Sequence, residues 1–160
     1  MDLSQQPVDI AIRASTPLKD SHLIARYLAS WQLVLCASPH YLQQHPINNL
    51  QELAQHDWIV SKDSVWQTLF QHTALSDIPC HRVLHCPLLL ACRTLALAGQ
   101  GITLQLAGEI APYLQSGELV AVLPEISLPR YNLYAVTRQR QLPAKVSAVL
   151  GLLKDCFQEA

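Results

Sequence analysis

Charged residues are scarce in this chain of 160 residues, and neither sign is in excess. Lysine and arginine together number 11, aspartate and glutamate number 12, and charged residues make up 14% of the chain. A chain without a basic surplus lacks the positive field that neutralises a phosphate backbone and supplies most non-specific affinity for nucleic acids. We therefore expect that this chain by itself does not bind DNA.

Long apolar runs and export signals are also missing. No stretch reaches the roughly eighteen uncharged apolar residues that a membrane-spanning helix needs. The first residues, MDLSQQPVD, have neither the basic start nor the apolar middle of a secretory signal. With 50% hydrophobic residues and little charge, the sequence predicts a globular protein with a sizeable core that stays in the cytoplasm.

Glycine is rare, and the motifs of common enzymes are not recognisable. Of the five glycines, Gly99 and Gly101 form a close pair that lacks the longer spacing of a dinucleotide-binding loop. Five cysteines and seven histidines supply material for a Cys-His nucleophile pair, but no cysteine lies in a recognisable nucleophile setting. The sequence therefore predicts neither an enzyme nor a bound cofactor.

The five cysteines do not form an obvious disulfide framework, because the chain is apolar and has no export signal. Cys36 and Cys156 lie in apolar runs and are predicted to be small buried residues. The segment 80–86, CHRVLHC, carries two thiols and two imidazoles, which are all zinc ligands. In an extended segment, however, cysteines and histidines at this spacing point to opposite faces, so they do not converge on one ion. We predict no metal site.

Two segments near the amino terminus predict strands. VDIAIR, residues 8–13, alternates apolar and other side chains as a half-buried strand does. Residues 33–37 are continuously apolar, which is typical of a strand covered on both faces in a mostly parallel sheet. Ser38 and Pro39 follow at once and predict a helix, with Ser38 as its cap and Pro39 at its first position.

The rest of the chain alternates between short predicted helices and strands, which favours parallel β-α-β units and an α/β fold. Helices are predicted at 50–56 after Asn49, at 88–98 and from Pro143 onward, a helix or turn at 107–117, and strands at 101–106, 119–123 and 131–137. The helix at 88–98 is apolar nearly all round and is predicted to be buried. The apolar stripe of the last helix consists of Val146, Val149, Leu150, Leu153 and Phe157.

Six segments, taken in order, resemble the effector-binding domain of LysR-type transcriptional regulators. They are residues 8–13 (VDIAIR), 20–46 (DSHLIARYLASWQLVLCASPHYLQQHP), 50–59 (LQELAQHDWI), 96–104 (ALAGQGITL), 111–124 (APYLQSGELVAVLP) and 133–157 (LYAVTRQRQLPAKVSAVLGLLKDCF). Each segment alone is a common pattern. Their shared order along nearly the whole chain makes the resemblance specific.

The resemblance implies an α/β fold of the type II periplasmic-binding-protein kind, with two lobes. Lobe II is expected at 33–127, and a partial lobe I at 1–32 and 128–160. Family members carry a winged helix-turn-helix, a linker helix and the opening strands of lobe I ahead of VDIAIR, so we expect these to be missing here. Lobe I would then have open strand edges and be loose or prone to association, while lobe II would be sound.

The same resemblance implies a regulator that binds a small, often anionic metabolite between its lobes. We expect effector contacts from Arg13, Ala14 and Ser15 at the end of the first strand, from Ser38 near the first crossing, and from His85 and Cys86 at the end of a lobe II strand. Ser38 can instead be only a helix cap, and Arg13 only a surface ion-pair partner. The chain is expected to form a homodimer or to pair with a full-length family member, and to reach DNA only through the missing helix-turn-helix.

Two departures from the family pattern leave other readings open. Residues 84–87 are Leu-His-Cys-Pro where the family has a polar stretch, and Gln105-Leu106 stands where Leu-Pro is usual. Either the pocket is specialised or the sequence is drifting. The alternatives to a sensor are a stand-alone ligand-binding or decoy fragment that does not bind DNA, and the remnant of a disrupted regulator gene.

Overall fold

The chain divides into two units in this computed structural model, which describes residues 8–15, 23–61, 73 and 75–158. Unit 1 combines Met1–Trp31 with Arg130–Ala160, and unit 2 is Gln32–Pro129. The predicted lobe II, 33–127, lies inside unit 2. Among the described residues, no helix has the length and apolar character to cross a membrane.

The described part of unit 1 is a small sheet with one helix packed on it. Strand β1 (Ala11–Ser15) pairs antiparallel with β7 (Arg130–Thr137), and β7 lies next to β2 (Ile24–Ala37), whose first residues belong to this unit. The terminal helix α4 (Ala144–Gln158) covers one face, where its buried Leu150 joins Leu133 and Ala135 of β7. Strand β1 begins at Ala11, not at Val8 as predicted, so only part of VDIAIR is extended.

Unit 2 is built on a mixed sheet, which corrects the expectation of mostly parallel strands. Strand β3 (Asp57–Ser61) runs parallel to β4 (Arg82–Cys86), and a parallel bridge from Trp58 to Ile102 joins β3 to β5 (Thr103–Leu106). The second part of β2 is antiparallel to β5 and to the short strand β6 (Val120–Ala121). Strand β2 enters from unit 1, so its direction is not set by a β-α-β crossover inside unit 2.

The helices among the described residues of unit 2 begin and end close to the predicted positions. They are α1 (Pro39–Gln44), a 3₁₀ helix (Leu50–Gln55), α2 (Leu89–Leu97) and α3 (Ala107–Ser116). Asn49 caps the 3₁₀ helix by accepting a bond from Glu52 N at 3.1 Å. Gly99 follows α2 with φ 74°, and Gly117 caps α3 with φ 77°, left-handed conformations that glycine adopts without strain.

Three predictions of burial are wrong. Helix α2 buries Cys92 and Ala96, but Leu88 and Leu90 at its start are 64% and 57% exposed, because only one side of the helix faces the sheet. In α4, Val149 is 47% exposed and Cys156 is exposed as well. An apolar run gives the composition of a helix but not which of its flanks meets another element. The prediction for Cys36 is confirmed, since it is fully buried.

Gly101 is fixed by a close approach of two backbones. Its φ is 151°, and a Cβ atom at this position would lie 2.2 Å from Asp57 O. The same carbonyl accepts a bond from Ile102 N at 2.9 Å, which holds β5 against β3. Any side chain at position 101 would separate these strands.

Candidate functional site

Three parallel strands of unit 2 end on the same side of the sheet, which we call the carboxyl edge. Its residues are Ser61 at the end of β3, Cys86 at the end of β4 and Leu106 at the end of β5. Ser61 lies opposite Cys86 in the parallel ladder, and Leu33 of β2 lies opposite Leu106. In open α/β sheets, ligands bind outside the carboxyl ends of the strands, because the following helices begin there.

Two helices start at the carboxyl edge without a side-chain cap. Leu88 precedes α2 and Leu106 precedes α3, and neither side chain can accept a hydrogen bond from the first turn. The first backbone hydrogen bonds at the start of α2 run from Ala91 N and Cys92 N to Leu88 O. The N–H groups of the two residues before Ala91 therefore have no carbonyl partner within the helix. Free N–H groups and the positive end of the helix dipole favour an anion.

The start of α2 suits an anion better than the start of α3. Helix α2 has no acidic residue in its first turn, whereas α3 has Glu109 there. Glu109 is already paired, with one of its carboxylate oxygens 3.6 Å from Arg93 Nη1, and the same Arg93 nitrogen donates to Glu109 O at 3.1 Å. The guanidinium of Arg93 also lies over the Tyr113 ring, 5.5 Å from its centroid. This network joins α2 to α3 and places a negative charge at the start of α3.

Gln105 ties the start of α2 to the centre of the sheet. Its Nε2 lies 3.4 Å from both Leu89 O and Thr103 Oγ1, and Thr103 Oγ1 in turn donates to Ile59 O at 2.8 Å. Because Thr103 uses its proton on Ile59, its oxygen must accept from Gln105, which fixes the amide nitrogen on that side. The chain of bonds therefore connects β3, β5 and α2.

The other end of the Gln105 amide is unsatisfied. Gln105 is fully buried, and in the described part of the chain its Oε1 has no hydrogen-bond partner. A buried polar atom without a partner costs about 1–3 kcal/mol. Such exceptions concentrate where function rather than stability selects a residue. Gln105 is thus the strongest sign of specialisation near the carboxyl edge.

His85 and Cys86 reach the carboxyl edge but differ in orientation. His85 is exposed, while Cys86 is buried in the core of unit 2 together with Cys92. Burial first, and then the neighbouring Cys86 thiol, raise the pKa of Cys92 to about 12. A thiol with so high a pKa is protonated at neutral pH and is a poor nucleophile. Among the described residues, no group of three or more metal-binding side chains comes together.

Ser38 lies at the opposite end of the sheet from His85 and Cys86. In the β2–β5 register, Leu33 is at the carboxyl end of β5 and Cys36 is at its amino end, so Ser38 lies beyond that amino end. Five residues of strand separate Ser38 from the carboxyl edge by roughly 15 Å. The Ser38 hydroxyl is buried and accepts a bond from Tyr41 N at 3.3 Å. The structure therefore places Ser38 as a helix cap and away from the other unit 2 candidates.

Arg13, Ala14 and Ser15 lie in unit 1 and form the end of β1. Their backbones pair with Tyr134, Leu133 and Asn132 of β7. The Arg13 side chain is half-buried and has a partner in the structure. These three residues are together on one strand.

Sequence reasoning did not select Ser61 and Leu88 as site residues. Ser61 is buried at the end of β3, and its only sequence signal is its place after the apolar run Trp58-Ile59-Val60. Leu88 matters for what it lacks, since a leucine at an N-cap leaves the helix start open. Gln105 had a signal, its departure from the usual family residue.

Comparison with known proteins identifies the family. A model described as LysR substrate binding domain matches residues 1–158. The HTH-type transcriptional activator TtdR of Escherichia coli K12 is 34% identical over 153 residues, covering 87% of this chain and 46% of the relative. The HTH-type transcriptional regulator DmlR of the same organism is 32% identical over 173 residues, covering 99% and 53%. The chain spans about half the length of these relatives.

A solved structure supports the fold. The regulatory domain of CrgA, a LysR-type transcriptional regulator from Neisseria meningitidis, superposes with a TM-score of 0.77 at 25% identity, covering 94% of this chain and 76% of that domain. The predicted α/β fold of the type II periplasmic-binding-protein kind is thereby confirmed. The matched relatives are transcriptional regulators and not enzymes.

Proposed function

Because this chain belongs to the LysR substrate-binding domain family, we propose that it is the effector-sensing part of a LysR-type transcriptional regulator. It binds a small anionic metabolite and passes the bound state to a DNA-binding part of the kind that the HTH-type relatives carry. The observation that carries this proposal is the open amino end of α2, where the N–H groups have neither a side-chain cap nor an acidic neighbour.

The effector contacts from unit 2 come from the carboxyl edge. The first turn of α2 supplies backbone donors, His85 supplies an exposed ring, and Cys86 contributes through its backbone because its side chain is buried. Gln105 supports this site indirectly, because its Nε2 donates a hydrogen bond to Leu89 O in the first turn of α2. Arg13, Ala14 and Ser15 remain the proposed contacts from unit 1, and Ser38 is proposed as a helix cap only.

The assembly we propose is a cytoplasmic dimer. LysR-type regulators are dimeric, and this chain would pair with a second copy or with a full-length family member. Cross-linking and sedimentation of the purified chain, alone and mixed with a full-length relative, test that assembly. A strictly monomeric chain in both samples would rule it out.

The test of effector binding uses Leu88, which is exposed and lies directly at the proposed anion position. Leu88→Asp supplies a helix cap together with a negative charge, and Leu88→Asn supplies a cap without the charge. Binding of succinate, acetate and benzoate to each protein is measured by titration calorimetry. We expect at least one carboxylate to bind the wild type, and L88D to weaken it by roughly 3- to 30-fold, the range of charge effects at a helix end.

The matched variant separates charge from fold. L88N and L88D should unfold at similar or higher temperature than the wild type, since both cap α2. If L88D and L88N bind a carboxylate with the same affinity, the added negative charge has no effect, and the amino end of α2 is not the anion site. If no carboxylate binds while uncharged metabolites do, the proposal of an anionic effector is wrong.

A further inference from the structure

A cavity of about 290 Å³ lies on the side of β2 away from β5, entirely within unit 2. It is lined by residues 32–35 of β2 and by residues 121–128, the segment that returns from β6. An engineered cavity of about half this volume in another protein holds benzene, so this space accommodates a single substituted ring. It lies across β2 from β5, and Ser61, Cys86, Leu106 and the residues of α2 do not line it.

At each end of the cavity, a backbone hydrogen bond joins β2 to the returning segment. Val122 N donates to Leu35 O at 2.8 Å, and Leu33 N donates to Pro129 O at 3.1 Å. Between these two bonds, the intervening residues 123–128 bow away from β2 instead of pairing with it. We call residues 123–128 the bow. At its carboxyl-terminal end, Gln32 Nε2 donates a hydrogen bond to Leu128 O.

The bow contains the one non-glycine residue with positive φ in the described part of the chain. Leu123 has φ 47°, and a turn closed by Ile126 N donating to Leu123 O at 3.0 Å follows it. A left-handed leucine costs roughly 1–2 kcal/mol, so a more regular path along β2 would be cheaper locally. Residues kept in such conformations cluster at ligand clamps and switch segments.

The lining chemistry selects an uncharged ligand. Most lining side chains are aliphatic, including the buried Leu33, Leu35 and Leu128. The polar groups are Gln32, Ser127 and the carboxylate of Glu125, and the lining contains no lysine, arginine or histidine. An anion entering this cavity would meet the like charge of the exposed Glu125 carboxylate and would have no lining cation to pair with. A neutral ring with a hydroxyl group can bury its apolar part and donate to the carboxylate.

We propose that this cavity is a second ligand site, which binds an uncharged single-ring aromatic alcohol and is distinct from the anion site at the carboxyl edge. Its walls are β2 and the segment that leads into β7, and both continue into unit 1. A ligand here therefore touches both segments by which the chain passes between the units.

The test compares benzyl alcohol with benzoate, which share a ring and differ in charge. Each compound is titrated into the isotope-labelled full chain, and amide shifts of residues 33–35 and 121–128 are followed by NMR. We expect benzyl alcohol to give saturable shifts at these residues and benzoate to give none there. Glu125→Gln should leave benzyl alcohol binding within about twofold, because the amide still accepts a hydrogen bond.

Two variants decide the location. Ile126→Trp fills the cavity and should weaken benzyl alcohol at least tenfold, and Glu125→Lys, on the exposed loop, should allow benzoate to shift the same residues. The proposal is overturned if benzyl alcohol gives no saturable shifts at the lining residues, or if benzoate shifts them equally in the wild type. It is also overturned if folded I126W binds as tightly as wild type. Should I126W not fold, failure of E125K to gain benzoate binding overturns it.

Discussion

Strand β5 of unit 2 and strand β7 of unit 1 are buried in different ways. All four residues of β5, Thr103–Leu106, are buried, so the sheet of unit 2 is covered on both faces. In the first half of β7, buried Tyr131 and Leu133 alternate with exposed Arg130 and Asn132. This is the alternation of a sheet with one covered face. The four-residue β5 thus lies in a two-sided core, whereas the first half of the eight-residue β7 lies over a one-sided core.

Both units expose apolar side chains on an outer strand, which is β1 in unit 1 and, in unit 2, β4, whose first four residues are all exposed. In unit 1, Ile12 of the outermost described strand is 48% exposed, and Leu152 on α4 is 65% exposed beside Val149. In unit 2, Ile110 and Leu119 are fully enclosed in the core between sheet and helices. Residues enclosed on all sides contribute more to the free energy of unfolding than residues at an open edge. We therefore expect unit 2 to be the more stable part.

The largest effect is expected from truncating a core residue in each unit. Ile110→Ala should lower the free energy of unfolding by about 2–5 kcal/mol, because the enclosed site cannot collapse around the cavity. Leu150→Ala should cost less, since α4 can shift at its exposed flank. Urea unfolding followed by circular dichroism measures both. A loss for L150A equal to or above that for I110A would break the comparison.

Limited proteolysis gives the next largest expected difference. Segments 1–31 and 130–160 should be cut before residues 32–129, because local opening exposes the less enclosed unit more often. A time course with a protease of broad specificity, read by mass spectrometry, identifies the first cuts. Early cleavage within α2, α3 or β5 would contradict the predicted order.

Acidification should weaken unit 2 through His56, a smaller effect. Burial first, and then the neighbouring His45, lower the pKa of His56 below its usual 6.5, while Asp57 and Glu52 oppose this. Unfolded chains bind the proton below about pH 6.5 and folded chains only at lower pH, so the free energy of unfolding falls as the pH drops through this window. Urea unfolding between pH 7.5 and 5 measures the slope.

The control for the pH effect is His56→Asn, which does not titrate. His56 Nδ1 lies 3.1 Å from Tyr41 Oη, and the asparagine Oδ1, attached like Nδ1 to Cγ, can accept the same bond. The other histidines remain in this variant, so its slope should be shallower than that of the wild type. Equal slopes would show that His56 does not contribute.

The smallest effect is expected from replacing Leu152, an exposed residue of α4 in unit 1. Leu152→Lys should change the free energy of unfolding by less than about 0.5 kcal/mol while reducing self-association, because Leu152 makes few buried contacts. Leu153→Lys, one position along and packed on the unit 1 core, is the matched control and should destabilise clearly. Light scattering measures the self-association of both variants, and thermal unfolding measures their stability. Equal destabilisation by the two substitutions would show that Leu152 is covered in solution.

Local signals predicted the elements well, and long-range contacts were beyond them. The helix ends at Gly99 and Gly117 and the cap at Asn49 follow from residues within one turn. The direction of β2 relative to β5 does not, because it depends on where the strand comes from. The amide orientation of Gln105 depends on Thr103 bonding Ile59 O, a contact across 44 positions of sequence.

Only the parts of the candidate site that depend on neighbouring residues could be predicted from the sequence. Pro79 and Pro87 favour an extended segment between them over a helix, so the positions of His85 and Cys86 at a strand end could be predicted. The position of Ser38 at the far end of the sheet could not be predicted from the sequence, because it follows from the antiparallel register of β2 with β5. The openness of the α2 start, given by the uncapped Leu88, becomes visible only when the helix is seen to begin at the carboxyl edge.

Gly101 offers a way to ask whether natural selection still maintains this protein. The approach of Asp57 O to within 2.2 Å of a would-be Cβ means that nearly every missense change in that codon breaks the β3–β5 junction. Exposed positions such as Leu152 tolerate many replacements. Among genes from closely related strains, a maintained reading frame would keep glycine at 101 while position 152 varies. A decaying frame would lose both at the same rate.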